Sequence, residues 1–303
     1  MPIATPFPRI MAADIDSLWN AYTERMAEIE LFQRATKDIA SSELNDLFRS
    51  AEQVKSYPKG ESLSVSFHNM TFREPRTGRL HVYRQKELDL DTRKSNVLFR
   101  KNRQYQWLLA EAYEEFEDYI HNLYAYCGST NSDFWPLSDY GSITLSNLKD
   151  KPFPWYVERS RLKKGAPHSI LVRFREVFPA VRRVEVENTF EVNLAVAVAL
   201  IEKLRHIIVH NSGKAFSKRK FIESVAKQTG LYNNGHVTED IEGFINQFFG
   251  AGEYENLVAL LEIQIRPDLP FENYICRFGD LTNYLLAYGF LLYQSAKFSV
   301  SHL

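Results

Sequence analysis

Apolar positions along this chain change period several times. From Asp14 or Asp16, either of which caps a helix, Leu18, Ala21, Tyr22, Met26, Ile29, Phe32 and Ile39 hold helical spacing to about Phe48, after a proline-rich lead from Pro2 to Pro8. From Glu61 the pattern alternates, first around Leu63, Val65 and Phe67 and then around Leu80, Val82 and Tyr83. Glu74-Pro75-Arg76-Thr77-Gly78 lies between, so a β-hairpin is predicted. Asn102 opens a second helix that Gly128 ends, with Leu108, Leu109, Ala112, Phe116, Tyr119, Ile120 and Leu123 as its apolar stripe and a run of solvated acids beside it. Residues 129–166, carrying Trp135 and Trp155, read as an ordered excursion over the surface. A helix over His168 to Phe178 is stopped by Pro179. Further helices follow near Phe216 to Thr229, Val237 to Phe249, Tyr254 to Glu262 and Leu281 to Phe298, with a turn at Asn233-Asn234-Gly235.

The stretch from Phe190 to Gly213 differs from all of these. Phe190, Leu194, Ala197, Ile201, Leu204 and Ile208 form one seam, while Ala195, Val198 and Ala199 cover much of the opposite side. This pattern predicts a central helix buried on more than one face. Its second half nevertheless carries Glu202, Arg205, His206 and His210, groups that a core tolerates only when paired or functional. With Glu202 set at zero, Arg205 lies at roughly −60°, His206 at roughly 40° and His210 at roughly 80°, a single polar stripe turned away from the main seam. Arg205 and His210 are about 7.5 Å apart along the axis and roughly 140° around it, so joint action calls either for fraying at Asn211-Ser212-Gly213 or for a second copy related by a two-fold axis.

Composition narrows the function classes. Lys+Arg of 37 against Asp+Glu of 38 gives a net charge of −1 and no overall basic field. Cys127 and Cys276 are too few for a disulfide framework and suit a reducing compartment. No signal peptide and no membrane-length apolar run is read, which points to a cytoplasmic protein. Local basic clusters do occur. One comprises Arg73, Arg76, Arg79, Arg84 and Lys86, continuing into Arg93, Lys94, Arg100, Lys101 and Arg103; a second comprises Lys214, Lys218, Arg219 and Lys220. Either is a solvated face or a phosphate-binding strip.

Arg205-His206-Ile207-Ile208-Val209-His210, followed by Asn211 and Gly213, resembles the arginine, polar residue, three residues, histidine motif of HEPN domains, in the RxIVHNxG wording of their RiboL-PSP and abortive-infection-like ribonuclease branches. LLAEAYEEFEDYI is similar to the first helix of those branches, with Phe116 and Glu117 in the aromatic and acidic places. The resemblance spans roughly Asn102 to Phe298. It implies a mainly α fold with a HEPN-like helical bundle over 102–303; the aromatic-rich insertion at about 129–166 and the helix and β-hairpin region over 1–101 are read from the residues and are not explained by it. It further implies a homodimer formed through the motif helices, and a metal-independent endoribonuclease, acting as a toxin or antiviral defence effector, that uses the substrate's 2′-hydroxyl and needs no cofactor.

In that reading His210 is the general base or acid, since histidine titrates near neutrality. Arg205 clamps the phosphate. His206 and Asn211 position the reacting groups, Glu202 orients the guanidinium, and Glu117 is added from the resemblance alone. Lys214, Lys218, Arg219 and Lys220 carry RNA phosphates. The expected partners are RNA, a second copy, and an antitoxin or regulatory protein, with no membrane. A metal pair of His206 and His210 is set aside, because position 207 is not Glu and the HExxH pattern fails. The alternative function is a non-catalytic HEPN-like helical module that binds RNA or a regulatory protein. In the plainest reading, Arg205 and Glu202 are an ion pair and the HNSG segment is a helix cap.

Overall fold

Asp14 caps the first helix, accepting the Ser17 N–H at 2.7 Å, and α1 then runs unbroken over Ile15–Lys55. The computed structural model describes residues 14–55, 65–148, 150–265, 268 and 273–300. The proline-rich lead and the Glu61 to Leu63 start of the first predicted strand lie outside these residues. The molecule is mainly helical, at 65%. In α1 the buried line runs through Met26, Gln33, Ala40 and Leu47, one every seven residues. Phe32 and Ile39 fall one position off it and stand exposed, at 61% and 65%, contrary to the predicted stripe.

Two antiparallel strands follow, β1 Ser66–Arg73 and β2 Leu80–Leu88, with Arg73 opposite Leu80 and a bulge beside Met70 and Thr71. The connecting turn is held by the Glu74 carboxylate. It accepts the Arg76 and Thr77 N–H groups at 3.0 and 2.9 Å and the Thr77 hydroxyl, while Gly78 takes φ +70°. The alternation of Phe67, Leu80 and Val82 marks no buried face, for all three are exposed.

Helix α2 extends over Leu90–Thr130, beginning twelve residues earlier than predicted because Asp89 already caps it, accepting the Thr92 N–H at 2.7 Å. Gly128 does not end it. A β-carbon there would lie 2.3 Å from Trp135 Cε2, so the glycine serves the close approach of an indole. That indole donates from Nε1 to the Tyr124 carbonyl, and Phe134, Trp135, Tyr140 and Tyr156 are buried. The insertion is therefore built into the core by its aromatics, and does not merely cross the surface.

The remaining helices are α3 Phe153–Arg161, α4 His168–Val177, α5 Pro179–Val184, α6 Leu194–Asn211, α7 Lys218–Gln228, α8 Glu239–Asn246 and α9 Arg277–Val300. Apart from a 3-10 turn that Tyr254 closes, the stretch to Glu262 is not helical. It forms extended chain that bridges to Lys214 and Phe249 and enters β3 Glu262–Gln264, paired with β4 Tyr274–Cys276. Asn234 and Gly235 both take positive φ, closing the predicted turn between the reciprocal Asn233 and His236 hydrogen bonds.

The chain forms two compact units, one of Leu31–Tyr105 and one of the remaining residues, so α1 and α2 are each divided between them. The smaller unit packs Leu44 and Leu90 against buried Ala40, Leu47 and Val97, and Gln33 donates to the Tyr105 hydroxyl at 2.6 Å. The larger unit is centred on α6, which packs against α7 and α9. Beside it, Trp19 and Tyr22 of α1 join Phe116 and Tyr119 of α2 and Tyr288 and Phe290 of α9 in a continuous ring cluster. Among the described residues no helix is long and apolar enough to cross a membrane.

Candidate functional site

Helix α6 starts later than the apolar pattern implied. Glu191 takes φ +54° and Asn193 caps the helix, its Oδ1 accepting the Ala195 and Val196 N–H groups at 3.0 and 3.2 Å. Phe190 thus lies outside the helix and is 41% exposed. From Leu194 to Ile208 more than half of the 18 residues of α6 are buried, on several faces, as the sequence predicts for a central helix. The helix ends in a left-handed cap. Ser212 has φ 55° and ψ 33°, Gly213 has φ 73°, and the Gly213 N–H returns to the Ile207 carbonyl at 2.9 Å.

Between these ends the polar residues take distinct places. His206 and His210 are exposed, with ring centroids 4.7 Å apart and planes tilted by 52°. Arg205 is half-buried. Its Nη2 donates to Glu114 Oε1 of α2 at 2.7 Å, and its buried Nε has no hydrogen-bond partner among the described residues. Glu202 does not hold that guanidinium, contrary to the role expected from its spacing. Its carboxylate instead accepts Gln228 Nε2 of α7 at 2.6 Å and lines a cleft of about 250 Å³ together with Arg175, Arg182 and Asn193. The reason is positional: the acidic edge of α2 offers Arg205 a carboxylate across the helix interface, and α7 offers Glu202 an amide.

Glu117 lies on the same edge of α2. Burial pushes its carboxyl above the ordinary value, the Arg205 guanidinium draws it back, and Glu202, Asp118 and Glu114 push it up again. The neighbouring Tyr113 hydroxyl is buried beside Glu202 with no hydrogen bond of good geometry among the described residues; burial, then Glu202 and Glu117, hold it protonated far above the ordinary phenol range. Glu117, Glu202 and Arg205 therefore form one electrostatic cluster. No hydrogen bond joins Arg205 to His206 or His210 among the described residues.

The basic residues beyond the motif divide likewise. Lys214 is exposed beside its bridge to Leu257. Ser217 caps α7 by accepting the Lys220 N–H, the Lys218 N–H goes to Asn256 Oδ1 at 2.9 Å, and the Arg219 guanidinium pairs with Glu223 at 3.4 Å. Asn211 is half-buried, with no side-chain hydrogen bond among the described residues. No third His, Cys, Asp or Glu among those residues joins His206 and His210 as a metal-holding group.

Sequence reasoning missed Glu114, Tyr113 and Gln106. Glu114 belongs to the acidic run, which stays largely solvated as expected while Glu111 and Glu115 pair with Arg25, Asp118 with Arg161, and Glu114 with Arg205. Gln106 is one polar residue among many along α2, and nothing in the sequence singles it out. Buried and bonded to the Val258 carbonyl at 2.8 Å, it occupies the space that any β-carbon on Gly213 would need. Comparison of the chain with protein-family models, with curated proteins and with solved structures finds no match in any of the three.

Proposed function

We propose that the chain is a metal-independent endoribonuclease of HEPN type, acting as a toxin or defence effector, whose active cleft is completed by a second copy across the exposed stripe of α6. The observation that carries this reading is the contrast along one helix: α6 is buried on several faces, yet turns His206 and His210 to solvent and holds Arg205 at the boundary. Solvated histidines beside a partly desolvated arginine suit phosphoryl chemistry.

The substrate 2′-hydroxyl loses its proton to one His210 and attacks the adjacent phosphorus. The bond to the 5′ oxygen breaks as that oxygen takes a proton from the other copy's imidazole, leaving a 2′,3′-cyclic phosphate. Arg205 binds the non-bridging oxygens through the transition state. Glu114 positions that guanidinium and Glu117 lies beside it, and Lys214, Lys218 and Lys220 hold flanking phosphates.

The competing reading, a non-catalytic helical module, draws on the Arg205–Glu114 ion pair, which already satisfies part of the guanidinium within one chain. End-labelled RNA incubated with the protein in excess chelator separates the two. The nuclease cuts it, leaves cyclic-phosphate ends and spares a substrate carrying 2′-deoxyribose at the cleaved position; intact RNA throughout sinks the enzymatic reading.

A further inference from the structure

The hairpin of β1 and β2 belongs to neither the α6 stripe nor any core. Both of its faces are exposed along nearly their whole length, and they carry Phe67, Phe72, Leu80, Val82 and Tyr83 at 49% to 64% exposure. Large aromatic side chains left in water on both sides of a two-stranded ribbon pack into no core among the described residues.

The register shows how they are arranged. Phe72 stands opposite His81, Met70 opposite Arg84 and His68 opposite Lys86, and these alternate positions of β1 share one face. On that face the Phe72 and His81 rings stack at 5.6 Å and 27°, and Tyr83, displaced by the bulge, lies 6.3 Å from Phe72. Charge completes the pattern. The hairpin holds Arg73, Arg76, Arg79, Arg84 and Lys86 against Glu74 and Glu87, and Glu74 is engaged in the turn. Among the described residues the side chains of Arg76, Arg79, Arg84 and Lys86 make no ion pair or hydrogen bond.

Cations on an open ribbon edge discourage edge-to-edge pairing, but that purpose explains none of the exposed rings. Rings interleaved with unpaired cations match one chemistry well: bases that stack and phosphates that bind the flanking charges. We infer that this face is a docking surface for single-stranded nucleic acid, with Phe72, His81 and Tyr83 as its stacking platform and Arg84 and Lys86 as its phosphate-binding cations. That the strand is RNA rests on the ribonuclease reading; the platform itself does not.

Fluorescence anisotropy of a labelled, unstructured uridine-rich RNA with full-length His210→Ala protein tests it without cleavage, DNA of the same sequence serving as the second probe. Loss of two stacking rings in Phe72→Ala/Tyr83→Ala weakens binding roughly 10-fold or more for both strands. In Arg84→Ala/Lys86→Ala the slope of log affinity against log salt falls by about 1.4, at about 0.7 for each phosphate no longer neutralised. Circular dichroism confirms that both variants keep the fold, as exposed positions should. Affinity within twofold of the parent in both variants overturns the inference. So does normal RNA binding accompanied by a change in sedimentation, which would assign the face to a protein. A chain that never cuts RNA yet binds it through the hairpin refutes the nuclease reading and leaves this one standing.

Discussion

Gly213 has no room for a side chain: at φ +73° its β-carbon would lie 2.5 Å from Gln106 Oε1. Its place in the motif is thus explained by backbone geometry and packing, without catalysis. Gly213→Ala is expected to cost about 1–3 kcal/mol in denaturant unfolding, the range for a strained left-handed residue. Glu117 presents the opposite case, a half-buried carboxyl that costs stability where it stands. Its folded-state pKa is raised above the ordinary 4.5, so the folded protein binds this proton more tightly than the unfolded chain. The stability it contributes is full below that ordinary value and is lost as pH rises through the folded value. Glu117→Gln should therefore raise the melting temperature at neutral pH and change it little in acid. A lowered melting temperature at neutral pH would instead show the carboxylate to be a net structural contributor. A carboxylate kept at a cost beside Arg205 is the kind of group an active site retains.

Helices α2 and α6 carry the site, and their ends show what a sequence can and cannot reveal. Asn193 holds the start of α6 through two N–H groups, and Asn193→Ala is expected to cost about 1 kcal/mol. Gly128→Ala, by forcing a methyl group into the Trp135 indole, should cost about 1–3 kcal/mol as an overpacked position. Thermal or denaturant unfolding of each variant measures both. The burial of α6 was legible because a helix apolar on several sides has few alternatives, and the polar stripe followed from arithmetic on the same residues. Gly128 misled because its conformation is helical and its reason lies in Trp135, seven residues later in sequence and across the packing. The pairing of Arg205 with Glu114 and of Glu202 with Gln228 was hidden for the same cause. Spacing within one helix suggested a local ion pair, while the partners come from 91 and 26 residues away. Phe32 and Ile39 failed differently, since apolar identity at helical spacing does not say which of two adjacent lines finds a neighbour.

At the scale of the whole molecule, the described fold is mainly helical with a two-stranded ribbon, and its two compact units differ in how much they bury. The smaller unit's core rests on Ala40, Leu47 and Val97, whereas the larger one encloses α6 and its ring cluster. Hydrogen exchange should accordingly find the hairpin amides the quickest to exchange and the α6 interior among the slowest. Uniform protection across both units would contradict that expectation. The proposed second copy belongs to this scale too. Val209, half-buried, lies at roughly −20° between Arg205 and His206, an apolar side chain within the Glu202 to His210 half of that face. Val209→Arg should convert a sedimenting dimer to monomer and abolish cleavage with Arg205 and His210 untouched.

In the proposed nuclease Arg205 and His210 perform the chemistry, and the rate of RNA cleavage in chelator reads out their part in it. Wild-type protein should cut, while His210→Ala and Arg205→Ala, matched to it in melting temperature, should each be slower by about 10²-fold or more, as loss of a proton-transfer group or a transition-state clamp demands. Cleavage by both variants at the wild-type rate would contradict the account.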